Sequence, residues 1–221
     1  MPSADDEPIR AILLVGHSNA GKSPLGALLE ARSAGDDRRL LHLDFGEHLR
    51  ATVAGSFDPG LTAAERAFLL TVMQGQLLDD AHFGIALKVV RRFAETRRLD
   101  PARDVLILNG MPRRVGQAEA CAARGIDIRL VVFLDCPPEI ALARKQLAEA
   151  GIGHEDRSGR DDSALAIFER KVRSFDEETR PLLVWYNERG VPVVRVPVGV
   201  GTTATDVAGS IALDLDLVRL A

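Results

Sequence analysis

The stretch Gly16-His17-Ser18-Asn19-Ala20-Gly21-Lys22-Ser23 fits the pattern G-x-x-x-x-G-K-[ST], which describes a phosphate-binding P-loop. It follows an apolar run at residues 9–15 that predicts a buried strand, and it precedes residues 25–31, which predict a helix. In that setting the glycines let backbone N–H groups turn toward phosphate oxygens, and the helix N-terminus adds its positive dipole end. The stretch therefore predicts a phosphate site after the first strand.

Two side chains of this loop carry the expected chemistry. Lys22 is predicted to reach the β- and γ-phosphates of a nucleotide, and the Ser23 hydroxyl is predicted to ligate Mg²⁺. Pro24 follows inside the first helical turn, where proline is tolerated, but it removes one N–H that could face phosphate.

Composition limits the class of protein. A chain of 221 residues, 46% of them hydrophobic, can bury one domain-sized core. The net charge of −4 arises from mixed acids and bases without a basic tract, so no nucleic-acid partner is expected. The acidic N-terminus lacks an apolar signal region, and the apolar runs are of strand length, so no membrane association is expected. Two cysteines without a CxxC pattern favour the reducing cytoplasm.

Apolar runs alternate with segments of helical period along the whole chain. Five runs predict strands, at residues 9–15, 40–44, 104–109, 129–135 and 192–198. This alternation predicts an α/β fold, in which a parallel sheet has helices on both faces and binds ligands beyond the carboxyl ends of its strands. Residues 51–74 predict one or two helices, and the region after the second strand is longer than a crossover needs, so it is expected to cover a ligand.

Four further stretches resemble, in order, motifs of the adenylate kinase and UMP/CMP kinase family. GEHLR at 46–50 is similar to G-D-x-L-R, and GQLLDD at 75–80 is similar to G-x-L-V-x-D. NGMPR at 109–113, followed by Gln117, is similar to D-G-F-P-R-x-x-x-Q. GRDD at 159–162, with TRPL at 179–182 and WY at 185–186, is similar to R-x-D-D…T-x-P-L…Y-Y. The resemblance extends from the P-loop to Gly190.

This resemblance implies a P-loop NTPase three-layer fold with a five-stranded parallel sheet in the order 2-3-1-4-5. It implies one kinase domain at residues 1–221, with a monophosphate-binding insertion at 45–80 and a short lid at 146–162. The implied reaction is reversible transfer of the γ-phosphate of ATP, with Mg²⁺ as cofactor, to a nucleoside monophosphate, AMP being the first expectation. A monomer is expected.

The resemblance also implies roles for individual residues. The catalytic set is Lys22, Arg113, Arg160 and Arg170, although the spacing from the other side selects Lys171 in place of Arg170. The ATP-binding set is Gly16, Ser18, Asn19, Ala20, Gly21, Lys22, Ser23, Pro24, Arg144 and Gly201. The monophosphate-binding set is Phe45, Arg50, Leu78, Gly110, Arg113 and Gln117, of which Gln117 is implied to read the adenine edge.

Departures from the family pattern keep alternatives open. Asn109 stands where the family has an aspartate that helps to hold Mg²⁺, so a greater need for Mg²⁺ is expected unless Asp44 or Asp135 supplies the charge. Phe45 stands where adenylate kinases have threonine, and this keeps open another acceptor, such as UMP, CMP or a non-nucleotide molecule. Asn109 and Pro24 together support a further alternative, a nucleotide-binding protein with little catalytic activity.

Overall fold

The computed structural model describes residues 7–73, 78–150 and 165–220. Five strands form one parallel sheet in the order β2-β3-β1-β4-β5. They are β1 (Ile9–Val15), β2 (Leu40–Asp44), β3 (Val105–Asn109), β4 (Ile126–Asp135) and β5 (Val193–Pro197). The predicted fold class and strand order are confirmed. Strand β4 begins three residues earlier than the predicted run at 129–135, because it also includes Ile126, polar Asp127 and Ile128.

Both faces of the sheet are covered, which is why its strands are apolar throughout and do not alternate. In β1, Leu13 and Val15 belong to the hydrophobic core on one face, whereas Ile12 and Leu14 belong to the core on the other. Every residue of β3 is buried as well. Because β3 lies between β1 and β2 in this parallel sheet, the carboxyl ends of the three strands lie side by side.

Helices surround this sheet within the described ranges. They are α1 (Lys22–Ser33), α2 (Phe45–Val53), α3 (Ala63–Met73), α4 (Gly84–Arg97), α5 (Val115–Ala122), α6 (Pro138–Glu149), α7 (Leu165–Ser174), α8 (Pro181–Glu188), α9 (Ala204–Ser210) and α10 (Ala212–Leu220). A π-helical turn at Phe175–Thr179 joins α7 to α8. None of the helices described is both long and apolar enough to cross a bilayer.

The second helix begins directly after β2, earlier than the residue 51 start of the predicted helical region. Asp44 explains this early start, because its carboxylate accepts a hydrogen bond from the Glu47 backbone N–H at 3.0 Å and caps the helix. Helices α2 and α3 are then separated by a segment that contains Pro59 and Gly60. The proposed insertion at 45–80 thus contains two helices, and its residues 74–77 lie outside the described part of the chain.

Helix α1 packs on β2 at Gly26, which faces the ring of His42. A Cβ atom at position 26 would lie 2.3 Å from His42 Cδ2, so we expect Gly26→Ala to lower the free energy of unfolding by about 1–3 kcal/mol. Urea unfolding followed by circular dichroism measures this loss. Gly209→Ala in α9, where an added Cβ meets no atom within 4 Å, is the matched control and should not destabilise. Equal destabilisation by both changes would contradict the steric explanation.

Candidate active site

The P-loop connects β1 to α1 through a backbone that suits glycine. Gly16, Asn19 and Gly21 have φ values of 154°, 69° and 97°. An added Cβ at Gly16 would also lie 2.8 Å from the Leu134 carbonyl oxygen of β4. A side chain there would push the loop away from the sheet, so Gly16 is required for this close approach.

Lys22 is the first residue of α1, and its ammonium bends back over the loop. Its Nζ donates to the carbonyl oxygens of Gly16 and His17, both at 2.7 Å. His17 itself is buried, and its ring lies 4.2 Å from the ring of Phe175, between centroids. Burial lowers the pKa of His17, partly opposed by nearby Asp176, so the imidazole is neutral at pH 7. The sequence did not single out His17, whose only signal was its place in the loop.

A small cleft, with a cavity volume of about 40 Å³, opens beside the P-loop at the carboxyl ends of the strands. Its lining residues are Leu14, Val15, Gly16, His17, Ser18, Lys22, Gly110, Pro112, Arg113, Lys171, Phe175 and Thr179. Three cations, Lys22, Arg113 and Lys171, therefore reach one concave surface from three separate elements. Such an arrangement suits a ligand with several negative oxygens.

Arg113 follows the end of β3, as the resemblance implies. Its Nε donates to the Gly110 carbonyl at 3.0 Å, and its backbone N–H donates to the Gln117 side-chain oxygen at 2.8 Å. The Gln117 amide in turn donates to the Leu78 carbonyl at 2.8 Å. Gln117 is buried and holds Arg113 and Leu78 together, so both ends of its amide already have protein partners.

Phe45 and Arg50 occupy opposite surfaces of α2. Phe45 is buried at the start of the helix within the hydrophobic core, and its Cβ lies 3.7 Å from where a Cβ at Gly110 would be. Arg50 is exposed, and its positive charge is one of the influences that lower the pKa of Asp44. The structure thus places a cation, rather than the phenyl ring, on the open surface of α2.

Arg144 connects the P-loop to the loop that follows β5. Its Nε donates to the Asn19 carbonyl at 2.9 Å, and its Nη1 donates to the carbonyls of Gly199, Val200 and Thr202 at 3.0, 3.1 and 2.8 Å. Gly201, predicted to contact ATP, is exposed within that second loop. These contacts give Arg144 a structural role at the edge of the nucleotide site, because its N–H groups are directed at backbone.

The structure describes only the first residues of the expected lid, up to residue 150. Arg160 and most of the expected lid at 146–162 lie outside the described residues. Arg170 and Lys171 both lie on α7, where Arg170 is exposed and Lys171 lines the cleft. Of these two alternatives, the geometry favours Lys171 as the cation nearer the P-loop.

Three polar side chains meet where α1 begins. The Ser23 hydroxyl donates to Asp44 Oδ2 at 2.5 Å, and the Asn109 amide donates to the same oxygen at 3.0 Å and to Ser23 Oγ at 3.1 Å. Hydroxyl and carboxylate oxygens are ligands that Mg²⁺ accepts, so Ser23 and Asp44 fit the expected metal, whereas Asn109 turns its amide nitrogen toward them. The described chain contains no group of three or more His, Cys, Asp or Glu side chains that could hold a metal by themselves.

No protein-family profile matches the chain. Among curated proteins, the adenylate kinase of Parvibaculum lavamentivorans is 30% identical over 184 residues, which are 81% of this chain and 80% of that protein. The chain belongs to the adenylate kinase family. The uridylate kinase of Saccharomyces cerevisiae is 24% identical over 197 residues, which are 88% and 86% of the two chains. The adenylate kinase of Phocaeicola vulgatus is 29% identical over 154 residues, which are 67% of this chain and 72% of that protein.

Membership of the adenylate kinase family confirms the resemblance that the motifs indicate. Of the departures from the family pattern, Asn109 lies beside Ser23, where it shares a hydrogen-bonded cluster with Asp44. Lys22 lies in the P-loop motif, and Arg113 lies in the NGMPR stretch that begins at the end of β3.

Proposed function

We propose that the protein is a nucleoside monophosphate kinase, a phosphotransferase that moves the γ-phosphoryl group of ATP reversibly to AMP. The convergence of Lys22, Arg113 and Lys171 on one cleft beside the P-loop supports this activity most directly. The relatives named adenylate kinase and uridylate kinase support the same reaction class. Two nucleotides carry many phosphate oxygens, and only a cleft with several cations can bring them close together.

In this mechanism the P-loop N–H groups and Lys22 hold the phosphates of ATP, and Arg113 with Arg50 holds the acceptor phosphate. Lys171 faces the cleft from α7, where it stabilises charge that develops on the transferring group. No covalent enzyme intermediate is needed, since positioning and charge stabilisation account for the transfer. Ser23 would help to hold Mg²⁺ when it binds with ATP, and the ion would then supply positive charge that neutralises the phosphates. Arg160 belongs to the proposed lid, which would exclude water from the transfer.

AMP is the preferred acceptor, and pyrimidine monophosphates are the second candidate. Phe45 is packed in the core next to Gly110, which lines the cleft. A smaller residue at position 45 would leave more space for the acceptor there. A smaller pyrimidine base would suit this narrower space, and one relative is a uridylate kinase. The buried, unpaired thiols Cys121 and Cys136 agree with the proposed cytoplasmic location, and a monomer remains the proposed state.

An acceptor panel tests this function. With ATP and Mg²⁺, AMP is expected to give the highest kcat/KM for formation of ADP, followed by UMP and CMP, with water as a poor acceptor because a closed cleft excludes it. A coupled assay of ADP formation measures each acceptor. Higher kcat/KM with UMP or CMP would reassign the acceptor, and tight ATP binding without ADP formation from any monophosphate would identify a nucleotide-binding protein instead.

A further inference from the structure

Asp44 ends a strand that lies two positions away from β1 in the sheet, yet its carboxylate contacts the P-loop helix. Strand β3 lies between them, with Asn109 paired in register with both Asp44 and Leu14. Asp44 Oδ1 accepts from the Glu47 N–H, and Oδ2 accepts from Ser23 and Asn109. One oxygen therefore anchors the side chain to α2, while the other is directed at the start of α1.

This buried carboxylate accepts hydrogen bonds from three donors, the Ser23 hydroxyl, the Asn109 amide and the Glu47 N–H, and such a set of donors suits its ionised form. A buried negative charge in direct contact with the hydroxyl of a phosphate-binding loop repels an incoming triphosphate unless a cation lies between them. The placement of Asp44 thus requires a cation in the nucleotide-bound state.

The other candidate carboxylate is already engaged elsewhere. Asp135, at the end of β4, accepts from Nε of Arg195 at 2.7 Å and also from its Nη2. Asn109, for its part, points its amide N–H₂ at Asp44 and Ser23, so its nitrogen faces the position where a metal ligand is expected. An amide nitrogen does not ligate Mg²⁺, whereas it stabilises a neighbouring carboxylate well.

We propose that Asp44, rather than residue 109, supplies the negative charge of the Mg²⁺ site, and that Asn109 is a positioning residue that holds Asp44 against Ser23. This inference rests on the proposed function, since it concerns the metal that accompanies ATP. It also explains why an amide ends β3: a second carboxylate at position 109 would face Asp44 Oδ2 at about the present 3.0 Å separation and be repelled by it. The greater need for Mg²⁺ that Asn109 suggests is then not expected.

Nucleotide binding, rather than turnover, provides the test. Calorimetry would measure the affinity for β,γ-imido-ATP in EDTA and in Mg²⁺, and the ratio of the two affinities is the metal enhancement. Asp44→Asn is expected to lower this enhancement about 10- to 100-fold. Asparagine also caps helices, so α2 is preserved. In EDTA the variant should bind the analogue as tightly as the wild type or more tightly, because a repulsive charge is gone. A merely structural loss would instead weaken binding equally in both conditions.

Two further variants make the test specific. The double variant Asp44→Asn with Asn109→Asp returns one carboxylate to hydrogen-bonding distance of Ser23, and it should recover part of the enhancement. Asp135→Asn removes a strand-end carboxylate of the neighbouring β4 and should leave the enhancement unchanged. An Asp44→Asn enhancement equal to that of the wild type would overturn the proposal, as would a loss in Asp135→Asn alone. If Asp44→Asn fails to fold, Asn109→Ala must show a reduced enhancement, or the positioning role is wrong.

The outcomes separate this inference from the proposed function. Wild-type protein that binds the analogue with metal enhancement and forms ADP from AMP establishes the function, whatever the variants do. Unchanged enhancement in Asp44→Asn then rejects only the role of Asp44. Wild-type protein that binds no analogue in either condition rejects both.

Discussion

Lys22→Ala is expected to lower the turnover of ATP and AMP by about 10²- to 10³-fold while the protein stays folded. The Lys22 ammonium lies in the cleft and bridges two carbonyls of the P-loop, so it is held where phosphate oxygens would arrive. Its loss removes positive charge at the reacting groups without opening a cavity in the core, because the side chain is only partly buried. A coupled assay measures the turnover, and thermal unfolding confirms the fold.

Arg129→Ala is the charge-matched control for this change. Arg129 lies in the amino-terminal half of β4, away from the carboxyl ends of the strands where the cleft opens. It pairs with Asp127 at 3.2 Å. Its removal subtracts the same charge from the protein but none from the cleft, so turnover should stay at the wild-type rate. Wild-type turnover in folded Lys22→Ala protein would reject the P-loop as the phosphate site and the kinase assignment with it.

The sheet is predictable because its strands are continuous apolar runs of strand length. Such runs are stable in a sheet that is covered on both faces, where every side chain of the strand is buried. Residues 105–109 show this best, since all of them are buried. The start of α2 was missed because a single side chain decides it. The sequence assigns Asp44 to the end of a strand, whereas its capping of the Glu47 N–H is one hydrogen bond that leaves no periodic pattern in the sequence. Helix boundaries of this kind follow from individual hydrogen bonds rather than from patterning.

The site was predictable where a residue follows a strand within a motif, as Lys22 and Arg113 do. The site was less predictable where it depends on hydrogen bonds between side chains of neighbouring strands. Asp44 and Asn109 are far apart in sequence and contact each other because β2 and β3 pair in register. Arg144 likewise contacts backbone carbonyls of two loops, and carbonyl groups carry no signal in the sequence. The sequence therefore identified these residues and offered Asp44 and Asp135 as alternative charges beside Asn109, but it did not decide between them or fix their hydrogen bonds.

Arg113→Ala is expected to raise the KM for AMP about 10- to 100-fold while it leaves the affinity for ATP nearly unchanged. Within the described residues, Arg113 has no hydrogen-bonded carboxylate, and its Nε is anchored to the Gly110 carbonyl. Burial lowers the pKa of Arg113, against the opposing charges of Asp44 and Glu178, yet a guanidinium stays protonated. A desolvated cation whose outer N–H groups face a cleft is suited to a phosphate, and one charge-assisted contact contributes about 1.5–3 kcal/mol.

Arg114→Ala is the matched control for this prediction, because the adjacent arginine differs from Arg113 in having a carboxylate partner. Arg114 Nε donates to Glu178 at 2.8 Å, and Nη2 lies 2.7 Å from the same oxygen. Its loss should change the KM for AMP only slightly. Arg113→Lys should recover part of the binding, since an ammonium restores the charge but not the planar pair of N–H donors. If Arg113→Ala weakens ATP binding and leaves the KM for AMP intact, the donor and acceptor halves of the cleft are assigned the wrong way round.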